Sequence, residues 1–116
     1  MSTDFKLESF IQDDFLVIKT FGYINNEGGE QIMKCFNESF DPEMPNLIIN
    51  LEESKVVNSI GISYLLEIIE KLMDKNGKLV FTNIAPAIEK TFSIMGLFHY
   101  AEQAATVDEA IANAKG

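Results

Sequence analysis

LIINLEESKVVNSIGISYLLEIIEKLMDKNGKLVFT, residues 47–82, sets the architecture of the chain. Leu47 to Leu51 is a short apolar run of the kind buried in a sheet, and Lys78 to Thr82 is another. Between them Ile62, Leu65, Leu66, Ile69, Leu72 and Met73 recur at helical spacing, while Glu67, Glu70, Lys71 and Asp74 fall mainly off that stripe. Asn76-Gly77 supplies the C-terminal punctuation. The segment reads as strand, loop, helix, strand. Ser59 stands where the helix begins and is placed to cap it, with the positive end of the helix behind it.

Working outward, Phe5 to Phe10 and Phe15 to Gly22 form an opening hairpin across Gln12-Asp13-Asp14. Phe15, Val17 and Phe21 alternate with Leu16, Ile18 and Thr20, so both faces of the second strand are largely apolar and both should be covered. A turn at Asn25 to Glu30 leads into a helix with Ile32, Cys35, Phe36 and Phe40 on its stripe. Asn26 is the expected N-cap, and Gly28-Gly29 predicts a frayed first turn. Asp41 to Pro45 is a turn. After residue 82, Pro86 opens a helix carrying Ile88, Thr91, Phe92 and Met95, which Gly96 ends. A short extended piece spans Phe98 to Ala101, and Thr106-Val-Asp-Glu109 is a capping box for a last helix bearing Val107, Ala110, Ile111 and Ala114. The order ββαβαβα(β)α implies a single α/β domain: a small mixed β-sheet, partly parallel, flanked by about four helices.

The 116 residues, 47% of them hydrophobic, suffice for one packed core, with the folded unit covering about residues 4–114. A net charge of −9 and a pI near 4.4 repel phosphate backbones and anionic lipid, so nucleic acid is excluded as a partner and a basic or apolar protein surface is favoured. Cys35 has no internal disulfide partner and reads as a buried core thiol, which fits a reducing compartment. The N-terminus lacks the plan of a signal peptide, and no apolar run approaches the roughly 20 residues of a membrane helix, so a cytoplasmic protein without membrane insertion is expected.

Catalytic chemistry finds few residues to carry it. His99 is the only histidine, and without clustered cysteines no zinc or haem site has its ligands. Glu52 and Glu53 are adjacent, so in an extended segment their side chains diverge, and they read as a solvated loop edge. Gly28-Gly29 lacks the spacing and the lysine of a phosphate-binding loop. No enzyme activity and no cofactor are expected. A phosphate added at Ser59 would instead bring about −1.5 to −2 of charge to an exposed loop, enough to dislodge a protein packed there.

The run Leu47 to Glu52, then Asn58-Ser59-Ile60-Gly61-Ile62 and Leu65-Leu66, resembles the signature of STAS domains of the anti-sigma-factor antagonist type. Gly22-Tyr-Ile-Asn25, Gly77 to Phe81, Ile84 to Phe92 and Met95 to Phe98 extend the likeness over nearly the whole chain. The resemblance implies that Ser59 is a phosphoacceptor, bordered by Asn58, Ile60, Gly61 and Ile62, with Asn25 on the neighbouring loop. It implies an anti-sigma factor that is also a serine kinase as partner, which binds the unmodified protein and releases its sigma factor. A PP2C-type phosphatase would restore the unmodified form. The family's usual acids are here Asn25 and Asn58, and its second small polar residue is Ile60, so altered partner selectivity is expected. A non-switching STAS subunit of a lipid-transport complex or stress-sensing scaffold is the alternative that the same resemblance allows.

Overall fold

The computed structural model describes residues 5–115; the expected start of the folded unit at residue 4 lies outside the described residues. Strands β1 (Lys6–Gln12), β2 (Phe15–Phe21), β3 (Asn46–Glu53), β4 (Lys78–Thr82) and β5 (Glu102–Ala104) form a five-stranded sheet in the order β1-β2-β3-β4-β5. β1 is antiparallel to β2, and every later pairing is parallel. The hairpin closes at Gln12 opposite Phe15 because Asp13 and Asp14 both take positive φ, the two-residue turn whose twist matches the strands. β1 therefore runs to Gln12, beyond the Phe10 at which the sequence pattern fades.

Helices α1 (Asn26–Ser39), α2 (Ser59–Asp74) and α3 (Pro86–Met95) share the main core with Leu16, Ile18, Leu47, Ile49, Leu51, Leu79 and Phe81 of the sheet. Helix α4 (Val107–Lys115) covers the opposite face with Ala110 and Ile111, packed with Phe15, Val17, Ile48 and Val80. The alternation in β2 thus divides its side chains between two cores, as its pattern predicts. Each fully buried large side chain, such as Phe36, Phe81 or Phe92, contributes about 1.5–3 kcal/mol by leaving water.

Several expectations shift. In α2 the buried residues are Gly61, Ile62, Leu65, Ile68, Ile69 and Leu72, so Ile68 takes the core place assigned to Met73, which is 53% exposed. Met95, at the end of α3, is also turned outward. The N-cap of α1 is Asn25, not Asn26, and Phe40 lies just past the helix, its ring 4.8 Å from that of Phe36. Residues Leu97–His99 form a single 3-10 turn, not an extended piece: Gly96 ends α3 in the left-handed region and buried Leu97 anchors the reversal. The aromatic that suggested a strand, Phe98, packs on Phe81 and Phe92 instead. Half of the expected capping box forms: the Glu109 N–H donates to Thr106 Oγ1, but the Glu109 carboxylate reaches one residue further back and accepts from the Ala105 N–H, not from Thr106. No helix among the described residues is long and apolar enough to cross a membrane.

The corrected face of α2 has a direct test in denaturant unfolding. Ile68→Ala should lower stability by about 2–5 kcal/mol, whereas Met73→Ala should change it by under about 1 kcal/mol. Equal losses would contradict the assigned face.

Candidate functional site

The C-terminal ends of β2 and β3 feed two loops that open helices α1 and α2 side by side, and backbone hydrogen bonds lock those loops together. The Gly22 N–H donates to the Glu53 carbonyl (3.0 Å), the Ile24 N–H to Val56 (3.0 Å), and the Asn58 N–H back to Ile24 (3.1 Å). Ile24 and Val57 form an isolated parallel bridge beyond the strands proper. Beneath the loops, the buried hydroxyls of Thr20 and Ser54 meet at 2.7 Å. The loop following β3 is therefore a fixed platform.

Each helix is capped by asparagine. Asn25 Oδ1 accepts from the Gly28 N–H at 3.0 Å, and Asn58 Oδ1 accepts from the Gly61 N–H at 2.8 Å. Ser59 is consequently the first residue of α2 and not its cap, which corrects the reading from sequence. The difference is chemical. Because Asn58 performs the capping, the hydroxyl of Ser59 is not consumed by it, and the residue is exposed. The N–H groups of Ser59 and Ile60 have no intrahelical acceptor, so the position tolerates added negative charge.

Glycine at 61 is required by a close approach. A methyl group there would collide with the Ile24 carbonyl, the group that also accepts from Asn58. Gly29 serves a similar purpose between helices, since a Cβ on it would sit 2.5 Å from the Tyr64 ring. Both glycines are thus buried, Gly28 against the Tyr23 carbonyl and the Phe5 ring and Gly29 where α1 meets α2, and they do not mark a frayed start.

The structure brings Asn25, Asn58, Ser59 and Ile60 together at one end of the sheet. Ile60 is 50% exposed beside Ser59, while Asn25 and Asn58 are half-buried in their caps. Gly61 and Ile62 are buried, Ile62 in the main core, so neither offers a side chain to a visitor; they hold the platform from below. Sequence reasoning missed Tyr23 and Val56, exposed apolar residues on the two joined loops, 38% and 53% accessible. Their signal was an apolar residue inside a loop, which becomes informative only once the loops are known to meet. His99 is exposed beside Tyr100, and Glu52 and Glu53 are exposed at the C-terminal end of β3, in the strand and not in a loop, with Lys19 3.6 Å from Glu52. No group of three or more histidine, cysteine or acidic side chains that could hold a metal occurs among the described residues.

A family model described as the STAS domain matches residues 6–110. The anti-sigma F factor antagonist of Lysinibacillus sphaericus is 27% identical over 113 residues, covering 97% of this chain and 95% of that protein. Among solved structures, an anti-sigma factor antagonist from Mycobacterium paratuberculosis superposes with a TM-score of 0.85 at 19% identity, covering 100% of this chain and 98% of the other. The phosphorylated form of SpoIIAA, a Bacillus cell fate determinant, gives 0.72 at 27% identity, over 95% and 98%.

The division of labour between Asn58 and Ser59 is measurable by thermal or urea unfolding. Asn58→Ala should cost about 1 kcal/mol, and Asn58→Asp should stay within about 0.5 kcal/mol of the parent or exceed it, since aspartate caps as well and suits the helix dipole. A neutral Asn58→Ala variant would contradict the cap.

Proposed function

The chain belongs to the STAS domain family, and from that membership we propose that it is an anti-sigma-factor antagonist switched by phosphate at Ser59. The observation that carries this reading is the exposed Ser59 at the first turn of α2, left out of the cap by Asn58, next to exposed Ile60 and on the same joined loops as exposed Tyr23 and Val56. In the unmodified state those apolar side chains dock against an anti-sigma factor, which releases its sigma factor in exchange. The same partner is a serine kinase that transfers a phosphoryl group from ATP to Ser59, and a PP2C-type phosphatase removes it. Nucleotide and magnesium belong to the kinase, so this chain works without a cofactor and without catalysis of its own.

The physics of the switch is asymmetric. A phosphate at Ser59 meets the unpaired N–H groups of the helix start and the neutral side chains of Asn25 and Asn58, so the folded chain accommodates it. A partner packed over Tyr23, Val56 and Ile60 faces a doubly charged, hydrated group in an apolar contact. Added charge therefore acts on the complex far more than on the fold. The surrounding field also differs from the family pattern, because asparagine replaces aspartate at both caps, and partner choice shifts accordingly. A reducing cytoplasm, where the kinase and its ATP reside, suits the free thiol of Cys35.

Affinity for the purified anti-sigma factor separates this reading from that of a non-switching subunit. Ser59→Ala should bind as the parent does and remain bound in the presence of ATP, while Ser59→Glu should bind at least about tenfold more weakly. Equal affinities for the two variants would defeat the switch.

A further inference from the structure

Along the C-terminal half of α2, Leu66, Ile69 and Met73 follow one another on a helix flank, and Tyr100 stands opposite them. Together with Glu70 they line an open groove of about 320 Å³, in which Met73 is 53% and Tyr100 60% exposed. Leu66 to Met73 is seven residues, so the groove runs for about 10 Å, two helical turns. Neither large apolar side chain is needed to complete the core.

Charge identifies what fits there. At about 100° per residue, Glu67 and Asp74 fall on the same flank as Glu70, along the solvent border of the apolar row. Beyond that acidic border Lys71 and Lys75 line a separate hollow with Phe36 and Phe40. The signs are thus sorted across α2. None of the ion pairs among the described residues engages Glu67, Glu70 or Asp74. A second copy of this chain would bring the same acidic border and another net charge of −9 against it, which opposes self-association.

We propose that this groove docks a basic amphipathic helix of a second protein partner, its apolar stripe against Leu66, Met73 and Tyr100 and its lysine or arginine side chains over Glu67, Glu70 and Asp74. Along the axis of α2 the groove begins at Leu66, about 10 Å past Ser59, and reaches Met73, about 21 Å past it, so the groove is separate from the Ser59 platform. The protein can hold one partner at each end of this helix. The inference is independent of whether Ser59 is phosphorylated.

The test uses the full isotopically labelled chain and a synthetic leucine/lysine amphipathic peptide of roughly 18 residues, long enough to hold a helix. Amide shifts should concentrate at Leu66 to Asp74 and around Tyr100, and rising salt should weaken binding. Met73→Gln and Glu70→Lys should each raise the Kd about tenfold without moving the unfolding midpoint, since both side chains are exposed. Shifts scattered over the acidic surface or centred on Tyr23 and Ile60 would overturn the proposal. So would equal binding of a leucine/glutamate peptide, or a concentration-dependent dimer of the chain that Met73→Gln abolishes.

Discussion

The exchange of backbone hydrogen bonds between Ile24 and the segment Val56 to Asn58 is the contact on which the candidate site depends. It continues the β2–β3 pairing past the strands, so two loops that would otherwise move separately become one surface. Gly61 is the condition for it, because any side chain there would push the α2 helix away from the Ile24 carbonyl. With the loops joined, both helix starts are held in fixed positions, and exposed Tyr23, Val56 and Ile60 belong to the same joined segment as Ser59. A shared backbone contact, more than any single side chain, makes the site.

The second constraint is the cap. A helix start has one position whose side chain best satisfies its orphan N–H groups, and in both α1 and α2 asparagine occupies it. Had Ser59 filled that position, its hydroxyl would be held in a hydrogen bond to the backbone. One step further along the chain it is exposed instead. Asparagine in that position therefore caps the start without setting a negative charge beside Ser59.

Much of this was legible in the sequence because the signals were strong and local. The run from Leu47 to Thr82 has few competing readings: two apolar strands, one periodic helix and an Asn-Gly stop, each found where expected. Gly96 and the Thr106 cap likewise fix element ends by local chemistry. What escaped depends on contacts between distant segments. Ile68 and Met73 both lie near the edges of the apolar stripe of α2, and only packing decides which faces inward. Gly28-Gly29 signals weakness in an isolated helix but close packing where Phe5 and Tyr23 meet Gly28 and Tyr64 meets Gly29. The choice of Asn58 over Ser59 as cap depends on the path of the loop, set by its bonds to Ile24. Tyr23 and Val56 become part of a site only through the same pairing.

The central claim is that Ser59, freed from capping, is the residue a visiting kinase modifies. Incubating the purified chain with its cognate anti-sigma kinase and ATP, then locating phosphate by mass spectrometry, addresses it directly. The account predicts one phosphate, on Ser59. Phosphate on Ser54, Ser63 or any other residue, or none from a kinase that is active toward another antagonist, would contradict it.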